Sequence, residues 1–135
     1  MIIYTSYFGL LDKIQKIYPK ALKYSIARYT PDYAAIPELV QLMPSKRLQK
    51  YGKQHGLGDS FRRRFMQQLI DTEAIMSVKH ILRLDVDKLF LFCHEKNVNE
   101  CHRSVVGIYF RREIAAWVSE WNEVQNMSNE NFTLF

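Results

Sequence analysis

The sequence predicts an α/β domain in which a short, mainly parallel β-sheet is flanked by helices. Short apolar runs rich in β-branched and aromatic residues alternate with segments whose apolar residues recur at helical spacing. The run LFLF at residues 89–92 is apolar on both faces, which is typical of a parallel strand covered by helices. A chain of 135 residues has the size of one domain. We therefore expect a single domain over residues 1–135, with residues 126–135 as a loose tail.

The first part of the chain is expected to contain two strands and one helix. Residues 2–5 (IIYT) form the first strand, and residues 7–18 then follow the 3.6-residue period of a helix. The hydroxyl of Thr5 or Ser6 is placed where it could accept a hydrogen bond from the first free N–H groups of that helix. Residues 24–28 suit a second short strand, because a proline ends the run soon afterwards.

The middle of the chain is expected to be mostly helical. Prolines and glycines interrupt residues 32–56, so short helices and irregular connections are predicted there. A helix capped by Asp59 or Ser60 comes next, and another begins near Thr72. The third strand is placed at residues 88–93.

The last predicted element is a long amphipathic helix. Its apolar residues recur every three or four positions, which defines one face of a helix. These residues are Val106, Phe110, Ile114, Trp117 and Trp121.

The composition excludes several classes of protein. Hydrophobic residues make up 47% and charged residues 24% of the chain, which is ordinary for a soluble globular protein. No apolar run approaches the roughly 20 residues of a membrane span, and the N-terminal residues do not have the pattern of a secretory signal. Two cysteines do not make a disulfide framework. We therefore expect a cytoplasmic, reduced protein with no membrane partner.

Side chains that could carry chemistry follow all three predicted strands. The carboxyl ends of parallel strands meet at one edge of a sheet, where open α/β sheets bind their ligands. The residues expected there are Tyr4, Thr5, Ser6 and Tyr7 after the first strand, Arg28 and Tyr29 after the second, Cys93, His94 and Glu95 after the third, and Cys101, His102 and Arg103 at the start of the last helix.

The chain carries a formal net charge of +5, and its positive charge is concentrated in the middle of the sequence. Such a segment suggests an anionic partner, but a solvated helix face with attraction to the acidic end of the chain is the favoured explanation. The residues are Lys46, Arg47, Lys50, Lys53, Arg62, Arg63 and Arg64. A nucleic-acid- or protein-binding module acting through residues 46–64 is therefore the alternative function.

Three stretches of the chain resemble the domain-of-unknown-function 488 family. They are YTSYFG near the start, SIARYTP after the second predicted strand, and CHEKNVNECHR late in the chain. In the family, the second strand ends in an arginine followed by a proline, and the third leads through a Cys-x-Glu-Lys segment to Cys-His-Arg. The resemblance extends from Ile3 to about Ile114, with residues 44–66 matching only loosely.

The resemblance implies a compact, Rossmann-like fold with a shared pocket and no established chemistry. The motif positions fall on Thr5, Ser6, Arg28, Pro31, Cys93, Glu95, Cys101, His102 and Arg103. One departure is the segment Asn97–Glu100, since many relatives have a short linker with Gly or Pro between the lysine and Cys-His-Arg.

Two kinds of chemistry compete for the cysteine and histidine residues. Cys93, His94, Cys101 and His102 are enough in number for tetrahedral zinc, but adjacent Cys-His pairs fit the usual ligand spacing poorly. No metal or other cofactor is therefore expected, and zinc is the lesser alternative. A disulfide between Cys93 and Cys101 is sterically conceivable but needs an oxidising setting. A cysteine at a strand end, near an arginine and a helix N-terminus, is also a candidate nucleophile. A small, buried and inert cysteine explains the same position.

The charged residues favour a ligand-binding pocket. Two arginines at one sheet edge could bind a phosphate or carboxylate, and nearby tyrosines could stack a base. A purely structural ion pair between Glu95 and Arg28 or Arg103 is the competing interpretation. We expect a phosphorylated or nucleotide-like anion to bind through Thr5, Ser6, Tyr7, Arg28, Tyr29, Cys101 and Arg103. Glu95, His102 and Cys93 are the catalytic candidates, and the residues leave open whether the protein is an enzyme.

Overall fold

The computed structural model describes residues 1–95, 102–116 and 118–122. Its sheet has four parallel strands in the order β2-β3-β1-β4. The strands are β1 (Ile2–Tyr7), β2 (Leu22–Ser25), β3 (Lys88–Cys93) and β4 (Val118–Glu120), and the helices are α1 (Leu11–Ile17), α2 (Lys46–His55), α3 (Asp59–Asp71), α4 (Ala74–Leu82) and α5 (Arg103–Ile114). The predicted small α/β domain with a parallel sheet is confirmed. Among the described helices, none has the length and apolar character needed to cross a bilayer.

Helices cover both faces of the sheet and make three layers. On one face, α5 lies so close to β4 that a Cβ at Gly107 would be 3.4 Å from Cγ1 of Val118. On the other face, the ring of Tyr18, at the end of α1, lies 5.4 Å from the ring of Phe90. Successive side chains along β1 and β3 point to opposite faces of the sheet, so both strands contribute side chains to both helical layers.

The central strand β3 is buried on both faces. Each residue from Leu89 to Cys93 is at most 2% exposed. Burial on both sides explains why the sequence of this strand shows a continuous apolar run instead of alternation.

The beginning of the chain differs from the prediction. Thr5 and Ser6 do not cap a helix, because they belong to β1 and are buried in the sheet. The backbone N–H of Trp121 donates to the Thr5 carbonyl (2.8 Å), and the Ser6 hydroxyl donates to the Trp121 carbonyl (3.1 Å). A short 3₁₀ turn at Phe8–Leu10 joins β1 to α1. The predicted cap was wrong because these hydroxyls occupy strand positions beside β4.

The last helix is shorter than predicted. It ends at Ile114, and the backbone of Ala115 takes the left-handed conformation (φ 51°) before the chain enters β4. Trp121 follows that strand and is only 3% exposed, with its ring edge-on to Tyr18. Trp117 and the predicted tail at residues 126–135 lie outside the described residues. The helical spacing of apolar residues continued past the true end of the helix because Trp121, a buried residue just after the new strand, falls at the same interval.

Replacing Ala115 with glycine should raise the free energy of unfolding by about 1 kcal/mol. Ala115 is exposed and has a positive φ, a conformation that glycine adopts without the steric penalty of a Cβ. Urea denaturation of both proteins measures the change. Ala116→Gly is the matched control, since Ala116 has no positive φ, and it should be neutral or destabilising. A less stable Ala115→Gly protein would contradict the prediction.

Candidate functional site

A pocket of about 310 Å³ lies at the carboxyl-end edge of β2 and β3. It contains six of the residues that the sequence placed at this edge, together with side chains from α2, α3 and the loop between them. Its lining residues are Ala27, Arg28, Tyr29, Pro44, Gln49, Gly52, Lys53, Leu57, Phe61, Cys93, His94, Glu95 and His102. The structure thus brings Arg28 and Tyr29 together with Cys93, Glu95 and His102.

The loop after β2 is fixed by hydrogen bonds close to the strand end. The Ile26 N–H donates to the Phe92 carbonyl (3.0 Å), which continues the pairing of β2 with β3 by one residue. The hydroxyls of Ser25 and Thr30 are hydrogen-bonded at 2.7 Å and close the turn between them. Arg28 therefore projects from a turn that is anchored at both ends.

The guanidinium of Arg28 is oriented by backbone. Its Nε donates to the Pro44 carbonyl (2.9 Å). The residues on either side of Pro44 are held by one side chain, since Gln68 donates to the Met43 carbonyl and accepts from the Ser45 N–H, both at 2.9 Å. Arg28 forms no ion pair with any described residue, so its charge is not neutralised by a carboxylate from that part of the chain.

His102 is a neutral imidazole at the inner wall of the pocket. Burial lowers the pKa of His102 to about 4, although the Ile26 carbonyl opposes this shift and the positive charge of Arg103 adds to it. Nε2 donates to the Ile26 carbonyl (2.6 Å), which fixes the proton on that nitrogen. Nδ1 then lacks a proton and lies 3.5 Å from the sulfur of Cys93.

Cys93 lies at the end of β3 and is 2% exposed. It is disulfide-bonded in the structure, which differs from the predicted reduced thiol. The only other cysteine of the chain, Cys101, lies outside the described residues. A nucleophilic role for Cys93 would therefore require reduction of the bond first. As described, Cys93 shapes the pocket wall beside His102.

Arg103 is buried beneath the sheet edge and does not line the pocket. It is 0% exposed, and its Nε lies 3.0 and 2.9 Å from the two carboxylate oxygens of Glu120. Its Nη1 donates to the Glu95 carbonyl. Burial raises the pKa of Glu120, while the charge and hydrogen bond of Arg103 and a hydrogen bond from Thr5 oppose that rise. Arg103 therefore ties α5 to β4 instead of reaching a pocket ligand.

The residues of β1 predicted for the site are also absent from the pocket lining. Thr5 and Ser6 are buried at the junction with β4, and Tyr7 is only half-buried at the strand end. The pocket lies over β2 and β3, whereas β1 is separated from β2 by β3 in the sheet. We predicted these residues for the site on the basis that the carboxyl ends of all three strands lie close together. In the observed strand order, β1 lies on the far side of β3 from β2, so its end is in the other half of the sheet edge.

Glu95 and His94 follow β3 on the exposed side of the pocket. The carboxylate of Glu95 makes no ion pair with Arg28 or Arg103 in the described structure. His94 donates from Nε2 to the Tyr29 carbonyl, and its ring packs edge-on against Phe8 at 5.0 Å. His94 therefore joins the two loops that carry the pocket, while Glu95 leaves its carboxylate exposed there.

The apolar side of the pocket depends on a glycine in α2. A Cβ at Gly52 would lie 2.9 Å from Cδ2 of Leu57 and 3.0 Å from the ring of Phe61. Glycine lets both side chains pack directly against the α2 backbone. In the sequence, Gly52 indicates only an interruption of regular structure, and no local signal connects it with the distant loop of Arg28.

The basic middle segment is divided between different surfaces. Arg62 donates to the Ser104 hydroxyl (2.6 Å), and the guanidinium of Arg64 lies 4.2 Å from the centre of the Tyr51 ring. Lys46, Lys50 and Lys53 instead face the loop of Arg28, at intervals of four and three residues on α2. The segment therefore does not form one continuous face, and nucleic-acid binding through it stays a prediction.

The described residues contain no group of three or more His, Cys, Asp or Glu side chains placed to hold a metal ion. Two of the predicted zinc ligands, His94 and His102, use Nε2 to bond backbone carbonyls. Of the two cysteines in the candidate zinc set, Cys93 is disulfide-bonded and Cys101 lies outside the described part of the chain.

The fold and this site define a small α/β domain with a pocket at the edge of a parallel sheet. The model of a protein family described as "Domain of unknown function DUF488" matches residues 14–110 of the chain. Because the match covers more than half of the sequence, the chain belongs to this family. Neither the curated proteins nor the solved structures include a match to the chain. The Cys-x-Glu-Lys…Cys-His-Arg signature stays a prediction, and Thr5 and Ser6 precede the matched range.

Proposed function

We propose that the domain binds a phosphorylated small molecule, with a nucleotide-like compound as the best fit, in the pocket beside Arg28. One observation carries this proposal. Arg28 is held by the Pro44 carbonyl, lines the pocket and forms no ion pair with any described residue. A guanidinium that is held by its Nε and has no carboxylate partner suits a phosphate, which it can bind through Nη1 and Nη2.

The neighbouring side chains support an anionic ligand with a polar end. Lys53 contributes a second positive charge to the same pocket. Glu95 supplies a carboxylate that could accept a hydrogen bond from a ribose or other hydroxyl, or act as an acid–base group. His102 is less suited to proton transfer with the ligand, since its Nε2 proton is used by the Ile26 carbonyl.

Tyr29 favours a ligand that carries a ring. Its side chain is 71% exposed and lines the pocket next to Arg28. An exposed tyrosine beside an anion site offers a flat surface on which a base can stack. Leu57 and the buried Phe61 form an apolar wall of the pocket.

Arg28→Ala should weaken the binding of inorganic phosphate and adenosine monophosphate by about tenfold to a hundredfold. This range corresponds to the roughly 1.5–3 kcal/mol of a hydrogen bond to a charged group. Isothermal titration calorimetry on the full chain measures the change, after a thermal-shift screen of phosphorylated compounds has selected the best ligand.

Arg83→Ala is the matched control for this experiment. Arg83 is exposed at the end of α4 and does not line the pocket, yet its loss changes the net charge equally. Its affinity for both ligands should equal that of the unmodified protein. Equal weakening by both substitutions, or no weakening by Arg28→Ala, would overturn the proposal.

A further inference from the structure

A second cavity adjoins the pocket on the side of helix α2. Its volume is about 410 Å³, and it shares Arg28, Tyr29, Gln49 and Lys53 with the first pocket. The residues that it adds are Lys46 and Lys50. The two cavities therefore adjoin each other, and we refer to them together as the depression; Arg28 and Lys53 line both.

The charge of the second cavity is entirely positive. Four of its six lining residues are basic and none is acidic. Lys46 and Lys50 are one helical turn apart, and like charges at that spacing destabilise a helix slightly. Lys46 is also the first residue of α2, next to the Ser45 cap, where the helix dipole is positive. An anion placed here would be attracted by every one of these charges.

We propose that the ligand carries a chain of at least two phosphate groups, of the kind found in a nucleoside di- or triphosphate. The phosphate nearer the ring binds Arg28 and Lys53, and the terminal phosphate enters the second cavity between Lys46 and Lys50. This inference rests on the proposed function, because it requires an anion at Arg28. It goes beyond the proposed function by naming the class of ligand, a compound with at least two linked phosphate groups, which Arg28 alone does not specify.

The geometry of the depression supports an extended ligand. Tyr29 is exposed and lines both cavities. A ring stacked on Tyr29 would leave its phosphate chain free to follow the basic face of α2. A monophosphate would satisfy Arg28 and leave Lys46 and Lys50 without an anion.

Titration of the full chain with inorganic phosphate, pyrophosphate and tripolyphosphate at about 150 mM salt tests this proposal, since weak surface attraction is screened there. Pyrophosphate and tripolyphosphate should bind at least tenfold more tightly than phosphate. In the double variant Lys46→Ala/Lys50→Ala, that advantage should fall below threefold, while the affinity for inorganic phosphate changes less than twofold.

The matched control is Lys79→Ala/Arg83→Ala, which removes two positive charges from exposed positions, one on α4 and one at its C-terminal cap. It should retain the full advantage of the longer anions. An equal affinity for all three anions in the unmodified protein would overturn the inference, as would an advantage that survives in the Lys46/Lys50 variant.

The two proposals fail in distinguishable ways. If Arg28→Ala weakens phosphate binding as expected but longer anions gain nothing, the pocket binds a single phosphate group and only the inference about chain length is wrong. If phosphate binding is unaffected by Arg28→Ala, the proposed function itself is wrong.

Discussion

Replacing Arg103 with methionine is expected to lower the free energy of unfolding by about 3–5 kcal/mol, the usual effect of removing one partner of a buried ion pair. The substitution leaves the carboxylate of Glu120 largely buried and without its cation, and among the described residues it keeps only the hydrogen bond from Thr5. It also removes the donor to the Glu95 carbonyl. Chemical denaturation followed by circular dichroism measures the loss.

Two further variants identify the cause of that loss. Arg112→Met changes an exposed arginine of the same helix and should alter stability by less than about 0.5 kcal/mol. Arg103→Met/Glu120→Leu removes both charges and should recover much of the stability, because neither member of the pair stays buried without the other. A double variant as unstable as Arg103→Met would show that lost packing, and not the orphaned carboxylate, causes the effect.

If Arg103→Met does not fold well enough to purify, Glu120→Gln gives the same information more gently. The amide keeps the shape of the side chain and one acceptor oxygen, but it lacks the charge that Arg103 pairs with. It should be less stable than the unmodified protein and more stable than Arg103→Met. Stability equal to that of the unmodified protein would contradict the importance of this pair.

The second large effect concerns pH, through His102. The pKa of His102 is about 4 in the folded protein against an ordinary value of 6.5, so the unfolded chain binds more protons between these limits. Stability must therefore fall as pH falls through this window. The full shift corresponds to roughly 3 kcal/mol, and about 2 kcal/mol of it is lost between pH 7 and pH 5.

Comparison with His102→Gln isolates this contribution. The amide can donate to the Ile26 carbonyl but does not titrate, so the variant should lose about 2 kcal/mol less than the unmodified protein over the same pH range. Titration of Glu120 affects both proteins alike and cancels. His80→Gln, at an exposed position of α4, should leave the pH dependence unchanged. Identical pH profiles for the unmodified protein and His102→Gln would refute the prediction.

The sheet was largely predictable from local patterns. Residue type and spacing alone predicted that β3 is buried on both faces and that strands alternate with helices around a parallel sheet. Both predictions are correct. β4 escaped prediction because it is only three residues long and its pairing with β1 is not visible in the local sequence. Trp121 lies by coincidence at the interval of the apolar residues of α5, so the helix was predicted to continue past Ile114.

The site was predictable only in part, because it depends on which strands are neighbours. Arg28, Cys93, Glu95 and His102 share a pocket since β2 and β3 are adjacent. The sequence predicts that Arg103 and Arg28 bind the ligand together at one sheet edge. In the structure, Arg103 instead pairs with Glu120 of β4, a strand that the sequence did not predict. Lys46, Lys50 and Lys53 share one face of α2, and the position of that face beside Arg28 depends on a contact that is distant in sequence, from Arg28 to the Pro44 carbonyl.

The strand order also bears on how the polypeptide acquires its fold during synthesis. Of the four strands, β1 is translated first, but both of its neighbours, β3 and β4, come from the distal half of the chain. Its pairing of Ile2 with Lys88 closes a very long loop. Until the ribosome has released that distal half, the apolar IIYTSY segment has two open edges that could pair with other nascent chains. A chaperone that shields this segment would be most useful before translation reaches β3.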